Sequence, residues 1–454
     1  MLMERYDLAV IGGGPAGYVP AIRAAQMGKK VLVFEEDELG GTCLNRGCIP
    51  TKTLVAATDL LRKAASSGKF GLEGRLGFRW QALSKRKNAV VTRLRKGIRS
   101  RFEQLGITLL PVHAEIEEPG GIIAGNERVA ADNILLSPGS RPFLPGPLAV
   151  EGVDTSKEVL SWEVLPASLI IVGGGVIGCE FASIFSRLGV DVTIIEMLPS
   201  ILPGIDRDVR QVVEKSFRRS GITIMAGVGA SGVDFADGKV SVALDGGKVL
   251  EAERILAAVG RRPRLADLGL DRAGVEYDEK GIVTDDVQMT NLPGVYAAGD
   301  ATGKWQLAHA GSAQALAAVD HMFGEGKRRV HPDRMPGCIF TSPEIAVVGP
   351  GEEEWRKRGV DVEVGVSRFI ANGKAVGMNE TEGFVKLIAR RSDGVLVGVQ
   401  MVGPDAGSLV GEAVIAVNLG VKASDIGGMI HPHPTLSELF MEAGETFGHG
   451  AIHG

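Results

Sequence analysis

The sequence predicts an α/β protein with two Rossmann-like domains followed by a C-terminal α+β domain. Two stretches each contain, in order, a buried strand, a glycine-rich turn, a helix, a second strand and an acidic residue. From Pro336 onward, strand patterns such as 383–388 and 394–399 are followed by helical patterns at about 408–419 and 435–445. Because a chain of 454 residues is too long for one hydrophobic core, we expect about three or four domains.

The composition argues against several classes of protein. A net charge of −5 gives no reason to expect nucleic acid or an anionic membrane as a partner. Four cysteines in this length do not make the disulfide scaffold of a secreted protein. No stretch approaches the roughly 18 apolar residues of a membrane span, and the N-terminus runs into a strand without a targeting segment. We therefore expect a soluble protein of the cytoplasm.

The first nucleotide-binding pattern begins at residues 6–11, a short apolar run typical of a buried parallel strand. A G-x-G-x-x-G turn follows at 12–17, then a helix through about Gln26 and a second strand at 30–34. Glycines let the backbone approach a pyrophosphate, and the helix N-terminus stabilises its charge. One such turn is a weak signal alone, but the acid ending the second strand has the spacing of a ribose-binding carboxylate. The candidate contacts are Gly12, Gly14, Pro15, Ala16, Gly17 and Glu35.

A second, independent pattern of the same kind begins at Ser168. Its strand at 169–172 leads into a glycine turn at 173–178, a helix to about Arg187 and a strand at 192–195. Two complete patterns in one chain predict two dinucleotides, such as FAD and a nicotinamide facing each other. The candidate contacts of the second pattern are Gly173, Gly175, Val176, Ile177, Gly178 and Glu196.

The charges around Glu196 favour NAD over NADP. A carboxylate there accepts hydrogen bonds from a ribose diol and repels a 2′-phosphate. An NADP site would place arginines just after the strand, but residues 197–203 carry no charge. Gly178, a glycine rather than an alanine at the third position of the turn, points the same way.

Cys43 and Cys48 lie just beyond the first nucleotide pattern. Neighbouring glycines give the backbone freedom to bring the two cysteines within disulfide range. Pro50 suits the first turn of a helix, and Lys52 follows Cys48 by one helical turn, so a helix N-terminus and a cation would both favour a thiolate. Half of a metal site, buried structural thiols and a static disulfide are the alternatives. In an intracellular protein a close pair is more often redox-active.

Residues 53–105 read as helical and highly charged, and glycine-punctuated strands follow from 106 to 136. A nucleic-acid patch is one interpretation of the basic run. A solvated helix face is favoured, since aromatic residues are sparse and the overall charge is negative. The basic residues are Lys85, Arg86, Lys87, Arg93, Arg95 and Lys96.

The stretch from His431 to Glu438 has two interpretations. Thr435-x-x-Glu438 is by itself a helix capping box. Alternatively, Glu438 orients His433 as a general base, a pairing that selects a tautomer and stabilises the imidazolium. Metal binding by His431 and His433 is disfavoured, because no further ligands cluster nearby in the sequence.

Residues 40–52, Gly-Gly-Thr-Cys-Leu-Asn-Arg-Gly-Cys-Ile-Pro-Thr-Lys, closely resemble the redox-active disulfide motif of the pyridine nucleotide-disulfide oxidoreductase family. Thr51 stands where the family commonly has Ser. Pro138 likewise replaces a usual Thr in the segment that closes the FAD-binding half, so no hydroxyl contact is expected there. The resemblance runs from about Tyr6 to the C-terminus and includes segments 137–142, 257–263, 290–300, 338–344 and 371–375.

The resemblance implies FAD and NAD as cofactors, a Cys43–Cys48 disulfide and a Lys52–Glu180 pair beside the flavin. It makes Cys43 the interchange thiol and Cys48 the thiolate nearer the flavin. His433, oriented by Glu438, would serve as the base from the partner subunit of a homodimer. Further implied FAD contacts are Gly41, Thr42, Lys52, Ala114, Ser137, Gly139, Asp300, Leu307, Ala308 and His309; further NAD contacts are Val228, Ala258 and Gly260.

The activity implied by the resemblance is oxidation of protein-bound dihydrolipoyl groups with reduction of NAD, as the flavoprotein component of 2-oxo acid dehydrogenase complexes. The form His-x-His-Pro-Thr-Leu-Ser-Glu favours this over glutathione or trypanothione reductases, and the added C-terminal cysteine pair expected of a mercuric reductase is absent. A strand almost at residue 6 leaves no lipoyl domain in the chain, so a separate lipoyl-bearing acyltransferase, or the lipoyl carrier of glycine cleavage, is the expected partner. Reduction of another disulfide by NAD(P)H and a non-catalytic flavin scaffold are the alternatives.

The same resemblance divides the chain into four segments. Residues 1–145 form the first part of the FAD-binding domain, with the redox disulfide, and 146–268 the NAD-binding domain. Residues 269–334 return to the FAD-binding domain, and 335–454 form the interface domain.

Overall fold

The computed structural model describes residues 5–453. The chain forms two compact units. The first takes residues up to 143 together with 155–164 and 260–330, and the second takes 144–154, 165–259 and 331 onward. The finer division into four segments stays a prediction.

The strands of the described residues are numbered β1 to β21 in chain order. They are Arg5–Ile11, Val31–Phe34, Thr108–Leu110, Ala114–Glu118, Gly121–Ala124, Glu127–Leu136, Ser140–Pro142, Ser168–Val172, Asp191–Glu196, Thr223–Ala226, Ala230–Ala236, Lys239–Leu244, Val249–Ala252, Arg254–Ala257, Arg261–Pro263, Val295–Ala297, Pro336–Ile339, Glu344–Val348, Val362–Arg368, Phe384–Arg390 and Leu396–Gly403.

The α-helices of the same residues are numbered α1 to α14. They are Pro15–Gln26, Gly41–Arg46, Cys48–Ala65, Trp80–Leu105, Ser156–Val159, Val176–Arg187, Arg207–Arg219, Leu270–Ala273, Ala308–Phe323, Glu352–Lys357, Gly373–Gly377, Ala406–Leu419, Ala423–Gly427 and Glu438–Glu445. Short 3₁₀ helices cover Ser67–Phe70, Gly146–Leu148, Gly299–Thr302, Pro332–Arg334 and Phe369–Ala371.

The first unit is built on a seven-stranded sheet of order β3-β2-β1-β6-β5-β4, with β16 paired to β6. Its nucleotide-binding half is parallel, while β4, β5 and the first part of β6 form an antiparallel extension. Alternate residues of β1 enter different cores. Leu8 and Val10 pack towards α1 and α9, and Ala9 and Ile11 pack on the opposite face. Burial on both faces explains the unbroken apolar run of this strand.

The second unit contains a parallel sheet of order β10-β9-β8-β14 and an antiparallel sheet of order β11-β12-β13. Ile170 and Ile255 of the parallel sheet share a core with Val240 and Val242 of the antiparallel one. The C-terminal part adds a five-stranded antiparallel sheet of order β17-β18-β21-β20-β19, packed against α12 and α14. The predicted α/β class, with two Rossmann-like sheets and a C-terminal α+β part, is confirmed.

The strands and helices predicted around both glycine turns occur within about a residue of their expected bounds. The helical interpretation of residues 53–105 is wrong at 71–79, which are exposed and lie outside any helix, between the 3₁₀ helix Ser67–Phe70 and α4. Gly71 and Gly74 adopt φ of 72° and 110° there, which the helical conformation does not allow. Helix α13 was not anticipated.

Most of the basic residues of α4 are exposed to solvent, as predicted, but Lys87 is buried. Its side chain is 4% exposed, and its ammonium donates to the Leu160 carbonyl oxygen. Burial lowers the pKa of Lys87. Within residues 5–453, no helix is long and apolar enough to cross a lipid bilayer.

Candidate active site

In the first glycine turn, backbone atoms pack directly against other backbone atoms. Gly12 has φ of 102°, and a Cβ there would lie 2.2 Å from the Ser137 carbonyl oxygen. A Cβ on Gly17 would lie 1.8 Å from the Gly12 carbonyl oxygen. Gly14 caps α1 without a side-chain hydrogen bond, so the positive N-terminus of this helix is open to an anion, although Pro15 itself has no N–H.

Glu35 ends β2 beside this turn, as the spacing predicts. Its carboxylate accepts the Gly13 N–H at 2.8 Å and the Asp37 N–H at 2.9 Å. Burial raises the pKa of Glu35, while these two backbone hydrogen bonds oppose the rise. Ser137 closes the other side, donating to the carbonyl oxygens of Ile11 and Gly12 at 3.1 and 3.0 Å.

The second glycine turn repeats the same geometry in the second unit. Gly173 has φ of 108°, and a Cβ there would lie 2.4 Å from the Ala258 carbonyl oxygen. A Cβ on Gly178 would lie 1.9 Å from the Gly173 carbonyl oxygen. Glu196 accepts the N–H groups of Gly174 and Leu198, each at 2.7 Å.

The other predicted contacts within the second unit lie beside this turn. Val228 donates its N–H to the Glu196 carbonyl oxygen at 3.1 Å, and Ala258 donates to the Val172 carbonyl oxygen at 2.7 Å. Gly260, with φ of 115°, follows two residues after Ala258. Val176, Ile177 and Gly178 form the first turn of α6, whose cap at Gly175 has no side-chain hydrogen bond. Both turns therefore fit a dinucleotide: close backbone approach, an open helix N-terminus and a carboxylate at the ribose position.

The cysteine segment is tied to the first glycine turn. The Gly40 N–H donates to the Gly13 carbonyl oxygen at 2.8 Å, and a Cβ on Gly41 would lie 2.7 Å from the Gly14 Cα. The Asn45 amide reinforces this loop by donating to the carbonyl oxygens of Glu38, Leu39 and Gly41 at 3.0 to 3.2 Å. Thr42 is exposed on the same segment.

Cys43 lies in α2 and Cys48 at the start of α3, and both are half-buried and in the dithiol form. The hydrogen bond between the two side chains raises the pKa of Cys43, burial adds to the rise, and Lys52 opposes it. Tyr18 of α1 is also close to both sulfurs: burial raises the pKa of its hydroxyl, and the cysteines add to that rise.

Asp300 lies in a polar cluster that the sequence did not predict. Ser140 donates to the Asp300 carboxylate, and Arg261 donates from Nε to Ser140 Oγ and from Nη2 to the Ser140 carbonyl oxygen, each at 2.7 Å. Arg261 Nε is also 4.0 Å from Asp300 Oδ2. Burial lowers the pKa of Arg261, and the charges of Asp300 and Cys48 oppose this. Ser140 and Arg261 lie in segments 137–142 and 257–263, which resemble segments of the family. That resemblance was the signal in the sequence that could have indicated them.

The other predicted FAD contacts are distributed over the first unit. Ala114 is buried at the start of β4, and Gly139, with φ of 77°, accepts the Arg264 N–H at 3.0 Å. Leu307 precedes α9, and Ala308 and His309 begin it without a side-chain cap. The positive end of the dipole of this 16-residue helix lies at these residues, and their contact with FAD stays a prediction.

Glu180 is buried in α6 of the second unit, 4% exposed. Its carboxylate accepts the Phe340 N–H at 3.0 Å, which ties α6 to the segment after β17. Lys52 belongs to the first unit. The predicted Lys52–Glu180 pair therefore stays a prediction.

Glu438 combines the two interpretations of the C-terminal motif. Its Oε1 accepts His433 Nδ1–H at 2.9 Å, while its Oε2 accepts the Thr435 N–H at 2.7 Å. The capping box is only half formed, because the Thr435 hydroxyl donates to the Pro432 carbonyl oxygen instead of capping α14. Although burial raises the pKa of Glu438, the hydrogen bonds from Thr435 and His433 hold it below its usual range. The His433 side chain is 78% exposed.

Comparison with known proteins agrees with this geometry. Residues 6–315 match the family model described as pyridine nucleotide-disulphide oxidoreductase, and residues 335–444 match the dimerisation domain of that family. Dihydrolipoyl dehydrogenases of Thermus scotoductus and Bacillus subtilis are each 39% identical to this chain. The alignments cover 99% of both chains for the first, and 96% of this chain and 97% of the relative for the second.

Solved structures give the same result. LpdA of Mycobacterium tuberculosis superposes with a TM-score of 0.91 at 28% identity, covering 98% of this chain and 99% of its own. The HOCl-induced flavoprotein disulfide reductase RclA of Escherichia coli superposes with a TM-score of 0.86 at 29% identity, covering 95% and 98%. The glycine turns, the cysteine pair and these matches together place the chain in the pyridine nucleotide-disulfide oxidoreductase family, whose cofactors are FAD and NAD(H).

Proposed function

We propose that this chain is a dihydrolipoyl dehydrogenase, which oxidises dihydrolipoyl groups and reduces NAD⁺ to NADH. The observation that carries the proposal is the His433–Glu438 hydrogen bond of 2.9 Å, because this activity needs a base for a substrate thiol. Full-length relatives with that name support it.

His433 is oriented to take a proton at one defined atom. Nδ1–H donates to Glu438, so Nε2 carries the lone pair that accepts the proton. The ionised Glu438 stabilises the imidazolium that forms. An imidazole whose pKa lies near neutrality suits the removal of a proton from a thiol at physiological pH.

The cysteine pair then exchanges with the substrate. The lipoyl thiolate attacks Cys43 Sγ, the Cys43–Cys48 bond breaks, and Cys48 leaves as a thiolate. The second lipoyl sulfur attacks the first, closes the lipoyl disulfide and releases Cys43, which keeps the remaining proton. The reduced pair then holds the two electrons of the substrate.

The residues around the two glycine turns hold the cofactors. Gly12, Gly14 and Gly17 leave room for the pyrophosphate of FAD with Glu35 at its ribose, and Gly173 to Gly178 with Glu196 do the same for NAD. Asp300, fixed by Ser140 and Arg261, would hold the ribityl–phosphate part of FAD. When bound, the two cofactors carry two electrons from the cysteine pair to NAD⁺.

The chain acts as a homodimer in this proposal, with His433 serving the cysteine pair of a second copy. The dimerisation domain exposes large apolar side chains on one surface. Ile415 and Leu419 share a face of α12 with Glu412, and Glu412 contacts His431, the neighbour of the fully exposed Ile430. A second copy covering this surface would remove these side chains from water.

The lipoyl group comes from a separate protein, the acyltransferase of a 2-oxo acid dehydrogenase-type complex or the lipoyl carrier of glycine cleavage. The exposed His433 is accessible to such a group. Location in the cytoplasm stays a prediction.

The first experiment measures NAD⁺ reduction by dihydrolipoamide on FAD-loaded protein. We expect activity in the wild type and a loss of about 10²- to 10⁴-fold in His433→Ala. His331→Ala, at the residue that precedes the 3₁₀ helix Pro332–Arg334, is the matched control and should keep wild-type activity. Absence of turnover despite bound FAD and a reducible cysteine pair would overturn the proposal. NADH-driven reduction of another disulfide, as the likeness to RclA suggests, would then be the function to test.

A further inference from the structure

A second histidine–carboxylate pair lies beside the proposed base. His431 is only 9% exposed, and its Nε2 is 2.8 Å from Oε1 of Glu412 in α12. Its Nδ1 is 3.1 Å from the Met429 carbonyl oxygen. The pair is separate from His433–Glu438, although only Pro432 lies between the two histidines.

The two partners determine the protonation of His431. A carboxylate and a carbonyl oxygen are both acceptors, so each ring nitrogen must donate to be satisfied. Only the imidazolium has two N–H donors. The pKa of His431 is raised in agreement: burial acts against the charged form, but the hydrogen bonds to Glu412 and Met429 outweigh it, and the charges of Glu412 and Glu438 add to them.

The charge on His431 reaches the proposed base through Glu438. His431 contributes to the lowered pKa of Glu438, after Thr435 and His433. The charged groups that face His431 are Glu412 from α12 and Glu438 from α14, with His433 on its own segment. A cation held here keeps Glu438 ionised and disfavours a second positive charge on its partner histidine.

We propose that His431 is a positioning residue, a fixed imidazolium clamped by Glu412 and the Met429 carbonyl oxygen that sets the charge state of the His433–Glu438 pair. This inference rests on the proposed function for its role in turnover. Its clamp also fixes the backbone of 429–433 on α12, so that His433 is presented by a rigid segment despite its exposed ring. His431 touches no reacting atom and acts only through Glu438 and His433.

The test compares His431→Gln, which removes the charge, with His431→Lys, which keeps it. The readout is the pH dependence of kcat for NAD⁺ reduction by dihydrolipoamide on the FAD-loaded enzyme. Without the cation at residue 431, the His433–Glu438 pair takes up a proton more readily. The pH at which kcat falls on the acid side should therefore rise by roughly half a pH unit to one unit in His431→Gln. His431→Lys should return the limb close to the wild-type position.

A structural role alone predicts a different result. His431→Gln would then lower kcat at every pH without moving the acid limb, and His431→Lys would be no better than His431→Gln. Either outcome overturns the proposal. His331→Gln serves as the control for loss of a histidine elsewhere in the same unit.

Unfolding measurements test the charge independently of activity. Because the pKa of folded His431 is raised, its contribution to stability is complete below about pH 6.5, its ordinary value, and is lost as the pH rises through the folded value. The difference in the free energy of unfolding between wild type and His431→Gln should therefore shrink from pH 6 to pH 9. A constant difference would sink the imidazolium assignment. Inactive wild type with a shrinking difference would instead sink the proposed function and leave the charged pair standing.

Discussion

Glu438 shows how one carboxylate can bind a backbone N–H and the proposed base at the same time. One carboxylate oxygen receives the Thr435 backbone N–H, and the other receives the proposed base. Both bonds need an acceptor, and only an ionised carboxylate offers one on each side. The sequence left open whether Glu438 bonds the Thr435 backbone or His433, and in the folded protein it bonds both.

This arrangement makes Glu438→Gln a sharp test. An amide has a single acceptor oxygen, so one of the two N–H groups must face an NH₂ group. We expect kcat for dihydrolipoamide oxidation to fall by about 10- to 100-fold and the free energy of unfolding to fall by about 1 kcal/mol. Glu445→Gln, at the other end of α14, is the matched control. Wild-type kcat in Glu438→Gln would show that the carboxylate does not orient His433.

Gly12 gives a prediction about the first turn that does not depend on catalysis. An alanine there combines a φ of 102° with a Cβ 2.2 Å from the Ser137 carbonyl oxygen, so the backbone must shift where FAD is expected. Gly12→Ala should therefore lose bound flavin, measured as absorbance per chain after purification. Gly28→Ala is the control, because φ is also positive at 77° but no atom lies within 4 Å of the new Cβ. Equal flavin content in the two variants would contradict the expected role.

At the scale of elements, Lys386 joins β20 to α7 and α10 within the second unit. This lysine is 2% exposed, and its ammonium lies 2.7 Å from Asp206, 2.9 Å from Asp208 and 3.7 Å from Glu352. Asp206 is itself buried and accepts the Glu352 and Glu353 N–H groups. The cluster fixes the beginnings of two helices against the five-stranded sheet.

Removing the cation should leave Asp206 as a buried, uncompensated charge. We expect Lys386→Met to lower the free energy of unfolding by about 3 to 5 kcal/mol, measured by denaturant titration. Adding Asp206→Asn should recover part of this loss, because the two sites interact directly. Lys374→Met, at an exposed position in α11, should change stability by less than about 0.5 kcal/mol. A double variant no better than the single one would show that the charges are not coupled.

At the scale of the whole molecule, the exposed apolar surface of the dimerisation domain determines assembly in our proposal. Ile415, Leu419 and Ile430 are 62%, 74% and 100% exposed in the single chain. Burying such side chains is worth about 1.5 to 3 kcal/mol each. A charge placed among them would have to be desolvated for the dimer to form.

Ile415→Asp combined with Leu419→Asp should shift the protein to monomer in sedimentation velocity. The dimer dissociation constant should rise by about 100-fold or more. Dihydrolipoamide oxidation should fall with the dimer fraction, whereas bound FAD should be retained. Val249→Asp, exposed on β13, is the control and should remain dimeric. A monomeric variant with full activity would contradict the assignment of His433 to the second copy.

The sequence alone determined what depends on neighbours along the chain. Both glycine turns, the acids that end their second strands and the Cys43–Cys48 spacing were readable because backbone conformation and short spacings are local properties. The order of strands and helices around both turns followed from the same patterns. The helical interpretation of residues 53–105 was wrong at 71–79, because Gly71 and Gly74 adopt positive φ there.

Tertiary structure decided the contacts between residues distant in sequence. Arg261 and Ser140 around Asp300, Phe340 on Glu180 and Glu412 on His431 join segments that carry no mutual signal in the sequence. Such pairs depend on how strands and helices pack, and packing is settled by the burial of whole surfaces and not by any one residue. The dinucleotide turns and the cysteine pair were therefore predictable, whereas these contacts between distant segments arise only on folding.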